Sequence, residues 1–540
     1  MKSAEQMAAK ALYKSLRGLS WSEIWNVEVP RFNRSNPEER FARVAVIRAV
    51  GVVFSESAAP SDSDVVRAWL RALLKDPNEK IRRYAMAALP KVGAGFEEEA
   101  EMLGLLQSTQ IEREKKFLAD SLDKIGADQT LAVVQGRLPQ TEQKARAAVA
   151  RRDNPGQPIW DEALEKWDGL RIHLRGRSGL EQFVREEVEA GDVFRILTVS
   201  DGVVEITPRR AFSLGDLFSL RCFGTLGIVL GDGAEDELPA IITSDLAREI
   251  LRTFTAGPVR YRLDFVGKGH QRGAVRTLAN RIFSECPSLL NDPRAALWSV
   301  DIRAIPGGHL VEVRPRVTPD PRFAYRRQFL PAASHPPLAA SMARLAGSLT
   351  NAVVWDPFCG SGVELIECAL RGGVRTIVGT DLSADALVGA QENFSASDAR
   401  DMDARFLCCD FRDFGRFAGL APASVDLVIT NPPLGMRVPV PNLRGLIADL
   451  FAVAAEVLRP GGRLVFTNPL RVDESPQTGL VRESSRLVDM SGFSCRLERY
   501  VKVGGRDLSR RGDPKRSQPK RIRYNGNTAQ RHRGARNDGA

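Results

Sequence analysis

Five short apolar segments that alternate with stretches of helical spacing constrain the second half of this chain more than any other feature. The segments predicted to be strands lie at 353–355, 376–380, 405–408, 425–429 and 463–467. Stretches with the spacing of helices lie between them, at 364–371, 384–394 and 443–458. Because parallel strands need a crossover between them, this alternation predicts a doubly wound, Rossmann-like α/β sheet.

The first 150 residues are predicted to be helical, and their pattern repeats. Asn36-Pro37-Glu38 opens one apolar-periodic stretch, and Asp76-Pro77-Asn78 opens another 40 positions later. A fainter copy occupies 105–126. A period near 40 residues is typical of stacked helix pairs, so residues 1–150 resemble a HEAT-like α-solenoid, whose face would bind a protein partner. An ordinary helical domain with accidental similarity is the alternative.

A polar segment with Pro and Gly, 151–158, is predicted to be a linker, and short strands and helices alternate beyond it. We expect an α+β region in two parts, 165–216 and 217–318, before the doubly wound domain at 319–502. Residues 501–540 contain 12 Lys and Arg against 3 Asp and Glu, so most of the net charge of +10 lies there. With almost no large apolar residues, 503–540 is predicted to be a disordered basic tail.

Several protein classes are disfavoured by what the sequence lacks. No run of 18 apolar residues is present, so no membrane-spanning helix is expected. The first 30 residues contain no apolar segment typical of a secretory signal, which favours a cytoplasmic protein. The seven cysteines form no CxxC pair and the five histidines are scattered, so neither a disulfide framework nor a metal site is predicted.

A glycine-rich loop joins the first predicted strand of the doubly wound domain to its first helix. The loop is Asp356-Pro-Phe-Cys-Gly-Ser-Gly362. Glycines at this junction let backbone amides approach a nucleotide at the carboxyl edge of the sheet. Leu365 stands where a dinucleotide fingerprint has its third small residue, and no Gly-Lys-Ser/Thr follows, so both phosphate-binding motifs are disfavoured.

Acidic residues end three successive predicted strands. Asp356 ends the first, Asp381 the second, and Asp410 the third, beside Phe411. Asp381 is placed to accept from ribose hydroxyls, and Asp410 with Phe411 suits adenine. Each acid alone is better explained as a helix N-cap, but the ordered set without a phosphate-binding lysine fits a cationic adenosyl ligand, S-adenosylmethionine. The predicted cofactor contacts are Asp356, Pro357, Phe358, Gly360, Ser361, Gly362, Asp381, Leu382, Asp410 and Phe411.

A rigid, donor-poor turn follows the fourth predicted strand. Its residues are Asn431, Pro432, Pro433 and Leu434. The two prolines lack N–H groups, so carbonyl oxygens and the Asn431 side chain are left to accept hydrogens from an exocyclic amine. Such acceptors draw the amine nitrogen toward a geometry that attacks a methyl carbon in line, by positioning and fixed dipoles rather than by a strong base. A turn that merely caps a strand is the alternative.

These motifs resemble a known family. The loop 356–362, Glu367 and the turn 431–434 are similar to class I methyltransferases that modify base amines. Segments 323–327 and 336–342 are similar to THUMP-domain RNA methyltransferases, which form N2-methylguanosine in tRNA or rRNA. The resemblance implies a ferredoxin-like segment at 165–216, a THUMP-like RNA-binding domain at 217–318, a methyltransferase domain at 319–502, and structured RNA as the partner.

Two departures from the family pattern keep other functions open. Leu434 replaces the aromatic residue that stacks on a flipped base, an interaction of about 1–3 kcal/mol per base, and Val363 replaces the usual Thr. The alternatives are an N6-adenine methyltransferase acting on nucleic acid, and a catalytically weak RNA-binding scaffold.

Four cations are the candidate contacts to RNA phosphates. Lys268, Arg272 and Arg276 lie near the start of a predicted helix, and Arg326 lies in the segment before the glycine-rich loop. A solvated charged surface without function explains such a run equally well.

Overall fold

The computed structural model describes residues 10–57, 62–126, 128–134, 139–269, 271–328, 333–433, 435, 440–470 and 478–504. Leu434 and nearly all of the predicted basic tail, 503–540, lie outside these residues, so what the sequence predicts for them stays a prediction. Each helix in the described ranges is too short or too polar to cross a lipid bilayer.

The described residues up to Asp153 are helical. They form α1 (10–16), α2 (Trp21–Glu23), a π-helical turn (Ile24–Glu28), α3 (Val29–Arg34), α4 (Pro37–Ala42), α5 (Ala45–Ser57), α6 (Ser63–Leu73), α7 (Glu79–Ala88), α8 (Phe96–Ser108), α9 (Glu112–Ile125), α10 (Asp128–Val134) and α11 (Pro139–Asp153). Val46, Ile81 and Leu118 contribute to one core. Asn36 and Asn78 of the repeated motifs cap α4 and α7 through their side chains. The arrangement as a HEAT-like solenoid stays a prediction.

One sheet spans both parts of the predicted α+β region. The elements of this region are β2 (Ile172–Arg175), α12 (Glu181–Glu189), β3 (Phe194–Ser200), β4 (Val203–Pro208), α13 (Leu214–Ser219), β5 (Thr225–Gly233), α14 (Leu238–Ile242), α15 (Asp245–Thr253), β7 (Arg260–Phe265), α16 (Arg272–Glu285), β8 (Leu290–Asn291), β9 (Trp298–Ile305) and β10 (Gly308–Pro315). Two further short strands, β1 (Gln157–Pro158) and β6 (Thr255–Ala256), pair with each other outside this sheet. The strand order is β3-β4-β2-β5-β10-β9-β7-β8. Since β2 pairs with β5, segments 165–216 and 217–318 share this sheet.

Helix α11 joins the helical region to the central sheet. Ala150 packs with Phe283 and Leu290 in a small apolar cluster. Arg151 forms an ion pair of 2.9 Å with Asp292, a buried residue of the central region. The predicted linker, 151–158, therefore contains the end of α11 and the strand β1.

A buried carboxylate, Glu312, holds three basic side chains together on the central sheet. Arg175 Nη2 lies 2.6 Å from its Oε1 and Arg303 Nε 2.9 Å from its Oε2, and His173 contacts Oε1. Burial acts to raise the pKa of Glu312, but the hydrogen bonds from His173 and Arg175 outweigh it, and the pKa falls to about 2.

We expect Glu312→Gln to destabilise the central region by about 3 kcal/mol at pH 7, because Arg175 loses its carboxylate partner and Arg303 and His173 keep only longer contacts, to Asp301 at 3.7 Å and Glu205 at 3.5 Å. Since the folded pKa is lower than the unfolded one, the stabilisation by Glu312 is present above pH ~4.5 and is lost toward pH ~2. Native-state hydrogen exchange of β10 at pH 7 and at about pH 2.5 measures both effects. Glu249→Gln is the control, because Glu249 is exposed and lies 4.0 Å from Lys166. Equal protection in the two variants would contradict the prediction.

The C-terminal domain is a seven-stranded mixed sheet flanked by helices. Its elements are α17 (Pro336–Leu345), β11 (Ala352–Asp356), α18 (Val363–Leu370), β12 (Val374–Asp381), α19 (Ala384–Ser395), β13 (Asp403–Cys408), α20 (Phe414–Phe417), β14 (Val425–Thr430), α21 (Leu443–Val457), β15 (Leu458–Asn468), β16 (Leu480–Asp489) and β17 (Ser494–Lys502). The order is β13-β12-β11-β14-β15-β17-β16, and the first five are parallel. The predicted Rossmann-like sheet is confirmed, with an antiparallel pair, β16 and β17, added at one edge.

Two arginines fasten the central region to the C-terminal domain. Arg322 is 5% exposed, lies 4.0 Å from the ring centroid of Phe223, and pairs with Asp320 at 2.7 Å. Arg221 donates through Nε and Nη2 to the two oxygens of buried Glu367, each at 2.8 Å. Because Glu367 lies on the helix that follows the glycine-rich loop, this joint ties the loop to the central sheet.

Candidate active site

The parallel strands bring the predicted polar residues to one edge of the C-terminal sheet. Asp356 ends β11 and Asp381 ends β12, while Asp410 and Asn431 closely follow β13 and β14. Neighbouring parallel strands end on the same side, so these four residues lie along one edge of the sheet, where a doubly wound domain binds its ligand in a crevice.

The glycine-rich loop is held against the end of β12. Gly360 and Gly362 have φ of +49° and +77°, values in the left-handed region that favours glycine. The Gly360 N–H donates to Asp381 Oδ2 at 2.9 Å, and the Cys359 N–H donates to the Thr380 carbonyl at 3.0 Å. Asp381 therefore already organises the loop whose ligand it is predicted to contact.

Asp356 is fully buried beneath the loop. Its Oδ1 accepts from the Phe358 N–H at 3.0 Å, while its Oδ2 has no partner in hydrogen-bond geometry among the described residues, although the nearby Thr430 hydroxyl acts to lower the pKa of this carboxyl. Burial, and then the nearby Glu364 carboxyl, raise the pKa of Asp356. An unpaired buried oxygen is costly, so this atom is suited to bind a donor or cationic group that enters the crevice.

The other predicted cofactor residues fall around the same loop. Phe358 packs on buried Phe411 with ring centroids 4.8 Å apart, and Leu382 is 73% exposed at the end of β12. Asp410 caps the short 3-10 helix that begins at Phe411, and its carboxylate forms an ion pair of 2.8 Å with Arg412. The carboxylate predicted to contact adenine is thus already engaged by Arg412. Pro357, Ser361 and Gly362 are buried.

Asn431 is held at both ends of its side-chain amide. Its Nδ2 donates to Ser334 Oγ at 2.8 Å, and its Oδ1 accepts from the Thr467 hydroxyl. The Ser334 hydroxyl donates in turn to Glu364. Pro432 is buried beside Asn431, Pro433 is partly buried, and Leu434 lies outside the described residues.

Sequence reasoning missed three residues of this site: Ser334, Glu364 and Thr467. Glu364 alone left a signal, because the sequence of α18 is apolar on all sides apart from its two glutamates, and seven of its eight residues are buried. A charged residue in a helix buried on all sides requires a polar partner. Ser334 and Thr467 carry no comparable pattern, since a hydroxyl in a loop or strand is common.

The predicted RNA-contacting cations separate into two groups. Lys268, Arg272 and Arg276 are exposed around the N-terminus of α16. Arg326 is instead half-buried in the C-terminal domain, where burial lowers its pKa and the charges of Tyr325 and Glu364 act to raise it. The described residues contain no group of three His, Cys, Asp or Glu side chains able to hold a metal ion.

Comparison with known proteins identifies the family of the domain that contains this crevice. Residues 324–473 match the UPF0020 family, described as RMKL-like, methyltransferase domain. The C-terminal domain is therefore a methyltransferase domain. The resemblance inferred from the glycine-rich loop and the Asn431 turn is confirmed.

Individual relatives match parts of the chain. The tRNA (guanine(10)-N2)-dimethyltransferase of Methanocaldococcus jannaschii is 29% identical over 27% of this chain and 41% of its own length. The U6 snRNA (guanine-N(2))-methyltransferase THUMPD2 of Bos taurus is 34% identical over 24% of each chain. This chain thus spans less than half of either relative. The crystal structure of TrmN from Thermus thermophilus aligns with 62% of this chain and 100% of its own, at 22% identity and a TM-score of 0.47.

Proposed function

We propose that this protein uses S-adenosylmethionine to methylate the exocyclic N2 amine of a guanosine in structured RNA, either tRNA or rRNA. The observation that carries the proposal is the placement of Asn431, which precedes two prolines and is held by two hydrogen-bonding side chains, at the edge where Asp356 and Asp381 also end their strands. The named activities of the Methanocaldococcus jannaschii and Bos taurus relatives support guanine N2 as the target.

The residues around the glycine-rich loop fit the proposed cofactor. S-adenosylmethionine supplies an electrophilic methyl group on a sulfonium. Asp356, with its unpaired buried oxygen, would hold a positively charged part of the molecule, and Asp381 would accept from the ribose hydroxyls. Phe358 and Phe411 offer apolar ring surface for adenine, while Asp410 contributes there only by sharing its carboxylate with Arg412.

The Asn431 turn would bind the target base through acceptors. An exocyclic amine has two hydrogens and a lone pair delocalised into the ring. When the Asn431 Oδ1 and the turn carbonyls accept those hydrogens, the nitrogen is oriented with its lone pair toward the methyl group. Positioning and fixed dipoles then replace a general base. Reaching this crevice requires that the nucleotide be flipped out of its helix or lie in a single-stranded loop.

The central region is the proposed site of RNA docking. Lys268, Arg272 and Arg276 present exposed positive charge around the start of α16, suited to phosphate contacts that position the RNA without reading sequence. The basic segment 503–540 would add salt-sensitive affinity by counterion release. Arg326 is proposed to act nearer the crevice, because it lies in the methyltransferase domain.

Nucleoside analysis tests the proposal. The full-length protein is incubated with S-adenosylmethionine and bulk tRNA or rRNA, and the digested RNA is analysed by mass spectrometry. N2-methylguanosine above the level made by an Asn431→Ala control is the expected result. Accumulation of N6-methyladenosine instead would establish the adenine alternative. Failure of calorimetry to detect S-adenosylmethionine binding would favour the scaffold.

A further inference from the structure

A chain of hydrogen bonds leads from Asn431 to a buried carboxyl group on α18. The Asn431 Nδ2 donates to Ser334 Oγ at 2.8 Å, and the Ser334 hydroxyl donates to Glu364 Oε1. On the opposite side of the amide, the Thr467 hydroxyl donates to Asn431 Oδ1. Three segments of the chain thus converge on one side-chain amide: the segment before α17, the first turn of α18 and the end of β15.

The two hydrogen-bond partners of Asn431, and the Glu364 carboxyl beyond Ser334, are shielded from water. Ser334 is 8% exposed, Glu364 4% and Thr467 1%. Water therefore cannot substitute for a missing partner at low cost, and the direction of each hydrogen bond is set by the protein. Polar side chains that are this deeply buried do not contribute to solubility. We infer that their hydrogen bonds instead fix the orientation of the Asn431 amide.

The donor and acceptor of each hydrogen bond between Glu364 and Thr467 follow from the chemistry of the groups. The Asn431 amide N–H can only donate, so the Ser334 oxygen accepts from it and the Ser334 hydroxyl is left to donate to Glu364. Among the residues that the structure describes, the donor to the Ser334 oxygen is the Asn431 N–H, and this bond turns the Asn431 carbonyl oxygen toward Thr467. The Thr467 hydroxyl occupies one lone pair of that oxygen, and the second lone pair remains for an incoming amine hydrogen.

The surroundings of Glu364 contain charges of both signs. Burial raises the pKa of Glu364, while its bond with Ser334, the helix N-terminus and the charge of Arg326 favour the ionised form, and Glu367 opposes it. The nearby Asp356 carboxyl also disfavours a second negative charge. Hydrogen bonds in a chain polarise one another. When Glu364 is ionised, it polarises the Ser334 O–H bond and, through it, the Asn431 N–H bond, and this increases the electron density on the Asn431 carbonyl oxygen.

We propose that Glu364, acting through Ser334 and opposite Thr467, is a positioning residue that orients the Asn431 amide with its carbonyl oxygen toward the target amine. This inference rests on the proposed function. Glu364 touches neither substrate nor cofactor in this role. In this role it sets how well Asn431 holds the amine during transfer, so the expected effect is on kcat.

The test compares Ser334→Ala, Thr467→Val and Glu364→Gln in the full-length protein with tRNA or rRNA as substrate. Ser334→Ala and Thr467→Val are expected to lower kcat on the order of 100-fold, since misplacement by about 1 Å costs that much. Glu364→Gln keeps an acceptor but loses the charge, so kcat should fall about fivefold. In Ser334→Ala and Thr467→Val, which leave the charge beside Asp356 unchanged, the RNA KM and the S-adenosylmethionine Kd stay within about twofold of wild type, a margin below 0.5 kcal/mol.

Rescue and coupling separate positioning from a structural role. Thr467→Ser retains the hydroxyl and should restore most of the activity lost in Thr467→Val. The Ser334→Ala/Glu364→Gln double variant should be no slower than Ser334→Ala, because Glu364 acts through Ser334. Ser341→Ala is the matched control, since Ser341 is a buried serine of α17 that donates to the Pro337 carbonyl and lies outside this chain. Its kcat should equal that of wild type.

The outcomes distinguish this inference from the proposed function. Wild-type protein that forms no N2-methylguanosine overturns both. Active wild type with Ser334→Ala and Thr467→Val both as fast as Ser341→Ala overturns the positioning role alone. Cofactor affinity that falls in parallel with kcat in Ser334→Ala and Thr467→Val also overturns it, because these residues would then act on the cofactor side of the crevice.

Discussion

Replacing Asn431 by Ala is expected to abolish methyl transfer while leaving the affinity for S-adenosylmethionine within a few-fold of wild type. The substitution removes the carbonyl oxygen placed to accept from the target amine, and it leaves the Ser334 oxygen without the Asn431 donor and the Thr467 hydroxyl without the Asn431 acceptor. Loss of one preorganised polar group that acts on the transition state costs about 10²–10³-fold in kcat. The cofactor side is spared, because Asp356 and Asp381 make no hydrogen bond to the Asn431 side chain.

Single-turnover transfer of a labelled methyl group measures the rate, and calorimetry measures cofactor binding. Asn442→Ala is a matched control in the same domain, since Asn442 caps α21 by accepting from the Gly445 N–H at 2.9 Å. Loss of that cap costs about 1 kcal/mol of stability and leaves transfer intact. A parallel loss of cofactor binding and transfer in Asn431→Ala would refute the role assigned to Asn431.

The sequence was sufficient to predict the sheet that carries the site. Each predicted strand of the methyltransferase domain falls within β11 to β15, because buried parallel strands are continuous apolar runs and their crossovers have helical spacing. The ends of these strands were predictable as well, because each apolar run stops at a polar residue. Asp356, Asp381 and Asn431 could therefore be expected at one edge before any coordinates were known.

Contacts between distant segments could not be predicted in this way. Ser334 lies 97 positions from Asn431, and nothing in its local sequence marks it as a partner. Pairing of β2 with β5, which unites the two parts of the central region, depends on a strand order that periodicity does not encode. The ion pair of Asp410 with Arg412 shows the opposite case: it is a local contact, two residues apart, that competes with the ligand role inferred from strand position.

Replacing Asp381 by Ala is expected to weaken S-adenosylmethionine binding by roughly 100-fold. The Asp381 carboxylate accepts from the Gly360 N–H and the Ser383 N–H, each at 2.9 Å, besides its proposed contacts with the ribose hydroxyls. Hydrogen bonds to a charged group contribute about 1.5–3 kcal/mol each. The substitution removes a contact to the ligand and also releases the glycine-rich loop from the end of β12. Both changes lower the affinity for S-adenosylmethionine, so the measured loss is their sum.

Asp381→Asn separates these two losses, because Asn keeps one oxygen acceptor for the Gly360 N–H but lacks the charge. The affinity of Asp381→Asn for S-adenosylmethionine should lie between those of wild type and Asp381→Ala. Hydrogen exchange of the Gly360 amide should remain slow in Asp381→Asn and become fast in Asp381→Ala. Asp385→Ala is the control, since Asp385 lies in the first turn of α19 and is exposed. Unchanged cofactor affinity in Asp381→Ala would exclude the ribose contact, whereas fast Gly360 exchange at unchanged affinity would show that the loop is ordered by the ligand itself.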